Sequence, residues 1–186
     1  MTRTARSPML TLSSERLQRK IQAASLEAIE QFRKDFPNAE VCGFALYSDV
    51  DARSLAPAFN TKDHLARVQA ENPDDRQYFK WSPADWSHEA FGGHFLADLS
   101  KTLRSMADAS SRENFEPHRR QVFALCAAAM QKLTGSTFEH AIHVFSVSDF
   151  ESAPEEIAWI CALNTPEQAV EFKSWRSPTA RRYLYR

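Results

Sequence analysis

Glycine is scarce in this sequence of 186 residues, and its scarcity excludes two kinds of nucleotide site. The four glycines are Gly43, Gly92, Gly93 and Gly135. They cannot form a GxxxxGK loop around phosphates or a GxGxxG loop around a dinucleotide, because both motifs need glycines at close, fixed spacing. The sequence therefore predicts neither a P-loop nor a dinucleotide-binding fold.

Cysteines and long apolar runs are also few. Cys42, Cys126 and Cys161 lie far apart and are odd in number, so they predict neither a disulfide framework nor a zinc knuckle. We interpret all three as small buried apolar residues. No apolar run approaches the ~20 residues that span a bilayer, and the N-terminus lacks the apolar segment of a secretion signal. We therefore expect a soluble, cytoplasmic protein without a membrane role.

Charge is distributed unevenly along the chain. Residues 1–20 hold five Lys/Arg and one acid, and residues 173–186 hold five Lys/Arg and no acid. Residues 21–172 hold 13 Lys/Arg against 23 Asp/Glu, a net charge of −10. Such an acidic body disfavours nucleic acid and favours basic partners, while the basic ends could fold back on the body or contact something anionic.

The pattern predicts one domain of α+β class. We expect a flexible basic tail over residues 1–11, a single globular domain over residues 12–175 and a basic aromatic tail over residues 176–186. Apolar residues at helical spacing predict a first helix from Ser13 or Ser14 to Phe36. The following segments predict a β-hairpin, a short helix, a strand at residues 77–81, further helices and a central strand at residues 140–149. The sum is about four strands in a largely antiparallel or mixed sheet, covered by several helices.

The segment WSPADW, residues 81–86, holds two of the four tryptophans. Ser82 followed by Pro83 is typical of a helix start, and Asp85 would lie in the first turn. We therefore interpret WSPADW as a junction from a strand to a helix, with Trp86 packed near Trp81. The helix would continue to Met106, but Gly92 and Gly93 interrupt it, which suggests close packing or a break. The alternative is that the two rings form part of a binding surface.

No pattern of residues identifies a catalytic or metal site. His88 and His94 are six residues apart, and His140 and His143 are three apart on a predicted strand, so neither pair converges on a metal ion. The chain has no GxSxG segment, and no cysteine has a recognisable histidine partner. We expect no cofactor, and the pattern favours a non-enzymatic role while leaving enzymatic activity open.

Five segments, in chain order, carry a resemblance to a known family: FALYSD (residues 44–49), FNTKDHL (59–65), YFKWSPADW (78–86), VFSVSD (144–149) and ALNTPEQA (162–169). Together they resemble a family of uncharacterised bacterial proteins, the domain of unknown function 4303, over about residues 15–175. The resemblance implies no activity or cofactor. Small acidic proteins of this kind are similar in character to immunity proteins encoded beside secreted toxins.

Two functional hypotheses follow. The first is a protein-interaction module, with an immunity protein as its specific form, whose acidic surface and WSPADW region, including Ser82 and Trp86, bind a basic toxin. The second is a small-molecule-binding protein or enzyme whose pocket lies near Asn60, Trp81, Asp85 and Asp149, where polar residues at strand and helix ends meet tryptophan rings.

Overall fold

The structure, a computed structural model, describes residues 13–134, 138, 140–150 and 152–176. The predicted tail over residues 1–11 lies outside these residues, as do residues 177–186 of the tail predicted over 176–186; Arg176 is the last residue of a helix. Seven α-helices and four strands are described: α1 Ser14–Asp35, β1 Val41–Ser48, β2 Leu55–Thr61, α2 Lys62–Glu71, α3 Arg76–Trp81, β3 His88–Glu89, α4 Ala97–Ala109, α5 Arg112–Gln131, β4 Ile142–Val147, α6 Ala153–Leu163 and α7 Pro166–Arg176. Within the described residues, no helix has the length and apolar character to cross a membrane.

The four strands form one mixed sheet in the order β3-β2-β1-β4. β1 and β2 are an antiparallel hairpin, β3 adds two residues antiparallel to β2, and β4 runs parallel to β1. The α+β prediction, with a four-stranded mixed sheet and several helices, is confirmed. The parallel pair requires a long crossover, which α2 to α5 provide.

The sheet is covered on both faces because β1 alternates between two apolar clusters. Phe44 and Leu46 join the larger cluster, to which α1, α4 and α5 contribute. Ala45 joins a smaller cluster with Trp81 and Phe172, from α3 and α7. Side chains of successive strand residues point to opposite faces, so one strand serves both cores. The first predicted helix is confirmed as α1, which Ser13 caps by accepting a hydrogen bond from the Arg16 N–H.

The prediction that the strand at residues 140–149 is central in the sheet is wrong. β4 lies at an edge. Its side chains are buried on both faces because helices of both clusters cover it. The outer backbone is paired instead with the side chain of Asn164, at the end of α6. The Asn164 Oδ1 accepts from the His143 N–H at 2.7 Å, and the Nδ2 donates to the His143 carbonyl at 2.7 Å.

The interpretation of WSPADW as a strand-to-helix junction is also wrong. Residues 77–81 are helical, in α3, and a 3-10 turn over Pro83–Asp85 leads into β3. The Ser82 side chain makes no capping hydrogen bond. The short aromatic run YFKW fits a strand or a helix by composition, and here the helix places Trp81 four residues after Gln77, whose Oε1 accepts from the Trp81 Nε1–H at 3.2 Å.

The helix predicted to run to Met106 is shorter than expected, and it begins only after the Gly92-Gly93 pair that was expected to interrupt it. α4 begins only at Ala97, after β3 and a 3-10 turn over Gly93–Leu96. Gly92 has a φ of 77°, and a Cβ there would lie 2.7 Å from the Ala28 Cβ in α1. Glycine at this position therefore allows both the left-handed backbone and the close approach of α1.

The interpretation of the cysteines holds only in part. Cys126 is fully buried, and Cys42 is half-buried. Cys161 is exposed on α6, so the prediction that it is a buried apolar residue is wrong. Its neighbours Ile160 and Leu163 supply the buried face of that helix instead.

Candidate functional site

A cavity of about 520 Å³ lies beside the carboxyl ends of the parallel strands β1 and β4. Its walls come from β1, from α3 and the turn that follows, from β3, from the end of β4, and from α6 and α7. In open sheets with parallel strands, ligands commonly bind outside the carboxyl ends of those strands. We call this cavity the acidic groove and define it by Tyr47, Tyr78, Glu89, Asp149, Glu156 and Trp175.

Three of the six residues singled out in the sequence line the groove. Trp81 is almost fully buried at the end of α3, with its ring 5.1 Å from that of Phe172. Ser82 follows it in the turn. Asp149 is exposed, two residues after the end of β4, and has a left-handed backbone with a φ of 55°. Aspartate is among the residues that adopt this conformation most readily.

The other three residues do not line the groove. Asp85 is linked to its rim through Tyr78, whose hydroxyl donates to the Asp85 Oδ2 at 2.8 Å. Trp86 is 4% exposed and lies over Gly43, where a Cβ would come 2.9 Å from the tryptophan ring. Asn60 is 1% exposed in β2, and its Oδ1 has no hydrogen-bond partner. Trp86 and Asn60 therefore belong to the interior beside the groove.

Sequence reasoning missed several residues of the groove. Tyr47 lies at the end of β1, and its hydroxyl donates to the Glu89 Oε1 of β3 at 2.7 Å. Arg176, the last residue of α7, donates from its Nε to the Glu156 Oε2 at 2.7 Å. Tyr78 was within reach of sequence reasoning, because it opens the segment YFKWSPADW. Nothing in the sequence pairs Tyr47 with Glu89, which are 42 residues apart.

Negative charge predominates along the walls of the groove. Among the described residues that line it, Glu89, Asp149 and Glu156 are acidic and Arg176 alone is basic. The ion pair between Arg176 and Glu156 neutralises one carboxylate, and the side chains of the pair are 15% and 13% exposed. No lysine or arginine of the described residues forms an ion pair with Glu89 or Asp149.

The hydroxyls of the two tyrosines in the groove both have raised pKa values. Burial, followed by the hydrogen bond to Glu89, raises the pKa of Tyr47 well above its ordinary value. The hydrogen bond to Asp85, followed by burial, raises the pKa of Tyr78. At neutral pH both hydroxyls are therefore hydrogen-bond donors, and the negative charge of the groove belongs to its carboxylates.

The functional groups of the groove are carboxylates, hydroxyls and aromatic rings. Among the described residues that line it, none is a cysteine or a histidine. His143 is buried in β4, where burial lowers its pKa to about 4. Within the described residues, no three His, Cys, Asp or Glu side chains are placed to hold a metal ion. Aromatic rings beside unneutralised carboxylates are instead the elements that recognise cations.

No curated protein and no solved structure matches the chain. One family does match, and the match covers residues 21–165. This range includes both strands of the hairpin, the WSPADW turn, β4 and Asn164, and therefore most of the groove. The predicted resemblance is confirmed: the chain belongs to the family described as domain of unknown function 4303, DUF4303.

Proposed function

We propose that the chain is a protein-interaction module that binds a positively charged partner through the acidic groove. The observation that carries this proposal is the excess of carboxylates among the described residues that line the groove, where Glu89, Asp149 and Glu156 stand against Arg176 alone. Complementary charge accelerates association and selects partners. Tyrosine and tryptophan supply contact area, and both residue types are enriched at interfaces. Tyr78, 43% exposed at the rim, offers such a surface.

The specific form of the proposal is an immunity protein that meets a basic toxin in the cytoplasm. The net charge of −10 over residues 21–172 supports this form, because a toxin that acts on an anionic substrate presents a cationic active site. Binding there would block the substrate by occupying its place. The test is co-production with a basic protein encoded beside this chain: protection of the cells supports the immunity role, and a failure to bind or protect contradicts it.

The wider proposal is tested by selecting displayed random peptides on the full chain. We expect the selected peptides to be rich in basic residues and to lose affinity as salt rises, because exposed charges are screened. The groove variant Glu89→Gln/Asp149→Asn should bind these peptides at least about tenfold more weakly, a difference of about 1.4 kcal/mol.

A matched control removes the same charge elsewhere. Glu27 and Glu30 are exposed on α1, which packs on the opposite face of the sheet. The variant Glu27→Gln/Glu30→Gln should bind the selected peptides like the unmodified chain. Peptides without basic enrichment, or equal losses in both double variants, would contradict a role for the groove.

The volume of the cavity favours a second candidate, a small-molecule-binding protein or an enzyme. About 520 Å³ lies within the range of roughly 300–1,000 Å³ that is typical of small-molecule sites. This candidate predicts that a metabolite raises the melting temperature of the chain, and that Ser82→Ala or Asp149→Asn abolishes the increase without lowering the melting temperature of the free chain. Retention of the increase in both variants would contradict it.

A further inference from the structure

We infer that the chain's own residues 177–186 dock in the acidic groove, and that a partner displaces them when it binds. The displacement rests on the proposed function, and it adds regulation to the same site. Three observations support the docking: the place where α7 ends, the charge of residues 177–186, and the apolar wall of the groove.

The first observation is the place where α7 ends. Arg176 is its last residue and lines the groove together with Trp175. The Arg176 guanidinium forms an ion pair with Glu156, in which Nη2 lies 2.5 Å and Nε 2.7 Å from Oε2, and both side chains are largely buried. Pro178 disfavours a continuation of the helix, because proline lacks the N–H and restricts the residue before it. The chain therefore leaves α7 at the wall of the groove.

Attachment at this point makes docking an intramolecular event. Ten extended residues span up to about 33 Å, which is enough to cross a cavity of about 520 Å³. A segment tethered beside its site acts at an effective concentration in the millimolar range. A contact with a dissociation constant of about 1 mM is then formed in about half of the molecules.

The second observation is complementary charge. Residues 177–186 contain three arginines and no acidic residue. Within the described part of the chain, no lysine or arginine forms an ion pair with Glu89 or Asp149, which line the same cavity as Arg176. The next arginines along the chain, Arg181 and Arg182, supply the positive charge that these carboxylates lack.

The third observation is the apolar wall. The rings of Trp81 and Trp175 lie 5.1 Å and 5.6 Å from the Phe172 ring, and all three residues line the groove. Residues 183–185, directly after the two arginines, are Tyr-Leu-Tyr. Aromatic side chains pack well against one another, so this segment matches the groove in apolar character as well as in charge. Residues 1–12, which are also basic, contain no aromatic residue and lead into α1 on the opposite face of the sheet.

The test is NMR of the full chain, followed through the indole N–H signals of tryptophan. Trp81 and Trp175 line the groove, whereas Trp159 packs against the larger cluster. The variant Arg181→Gln/Arg182→Gln should shift the Trp81 and Trp175 signals and leave the Trp159 signal in place. Rising salt should move the same two signals of the unmodified chain in the same direction, because it screens the charges.

A second background separates docking from a local effect on the end of α7. In a chain that already carries Glu89→Gln/Asp149→Asn, the arginine variant should shift the Trp81 signal at least about threefold less, because residues that act through one contact are not additive. The matched control Arg3→Gln/Arg6→Gln removes the same charge from residues 1–12 and should shift neither groove signal. An unmoved Trp81 signal, or a shift of equal size in both backgrounds, would overturn the inference.

Displacement is tested with the selected basic peptides. They should bind Arg181→Gln/Arg182→Gln at least about threefold more tightly than the unmodified chain, because more of the molecules then have an open groove. Peptides that bind both chains equally, with no shift of Trp81, would overturn the inference and leave the interaction module standing. A shift of Trp81 without the selection of any basic peptide would support the docking and contradict the interaction module.

Discussion

Replacing Asn164 tests how the edge of the sheet is closed. The Asn164 side chain accepts a hydrogen bond from the His143 N–H and donates to the His143 carbonyl, both at 2.7 Å, and donates to the Ile160 carbonyl at 3.0 Å. It acts as one additional residue of a strand beside β4. Asn164→Ala removes all three bonds and leaves the two backbone groups of His143 without their partner.

The magnitude follows from those two groups. An unsatisfied buried polar group costs about 1–3 kcal/mol, so Asn164→Ala should lower the free energy of unfolding by roughly 2–5 kcal/mol. For a chain of this size, about 1 kcal/mol corresponds to about 2–4 °C, which gives a decrease in melting temperature of roughly 4–20 °C. Calorimetry and urea denaturation at pH 7 measure both quantities.

Two further variants separate hydrogen bonding from packing. Asn164→Asp keeps the shape and the acceptor for the His143 N–H but lacks the donor for the carbonyl, so it should also be destabilising. Asn114, on the exposed start of α5, donates only to the Ser111 Oγ, and Asn114→Ala should change stability by less than about 0.5 kcal/mol. An Asn164→Asp chain as stable as the unmodified one would refute the reasoning.

Three other predictions concern backbone conformation and pH. Gly92→Ala should lower the free energy of unfolding by roughly 2–5 kcal/mol in a urea titration, because of the left-handed φ and the collision of the new Cβ with α1. The Cβ of Gly93→Ala would meet nothing within 4 Å, so this control should be neutral or slightly stabilising. Equal effects of the two substitutions would contradict the packing argument. Ala90 is exposed with a φ of 56°, so Ala90→Gly should raise the free energy of unfolding by about 0.5–1 kcal/mol, and a decrease would show that no strain is relieved. Burial lowers the pKa of His143 from 6.5 to about 4, so at a pH between these values the unfolded chain binds a proton that the folded chain does not bind. The free energy of unfolding should therefore decrease as pH falls from 6.5 towards 4. Between pH 7 and pH 5 this contribution is about 2 kcal/mol, measured as the difference between the unmodified chain and His143→Gln; a pH dependence that the substitution leaves unchanged would exclude His143 as its source.

Local patterns were sufficient wherever one element's own residues decide its conformation. α1 follows from apolar residues at helical spacing and a capping serine, and the hairpin follows from two short apolar runs around a turn. α2 begins after Thr61, whose Oγ1 accepts from the His64 N–H as a helix cap should. The prediction for residues 77–81 failed because this segment is short and its three aromatic residues fit the period of a strand and that of a helix equally well.

The groove could be predicted only in fragments. Trp81, Ser82 and Asp149 were singled out because polar and aromatic residues cluster at element ends. Trp86 and Asn60 share that sequence character, yet they are buried, since the close approach of Gly43 and the position of β2 inside the sheet decide their exposure. Glu156 and Arg176 were missed because 20 residues separate the partners of this ion pair.

The sequence by itself determined the α+β class, the membership of the DUF4303 family, the acidic body and the exclusion of glycine-rich nucleotide loops. These properties depend on composition and on contacts within a few residues, which a linear pattern records. Only the tertiary structure decided that β4 is an edge strand parallel to β1, and that Tyr47, Glu89 and Asp149 line one cavity. Such neighbours are set by the packing of the whole chain, because the four-helix crossover between β1 and β4 acquires its position only when both faces of the sheet are buried.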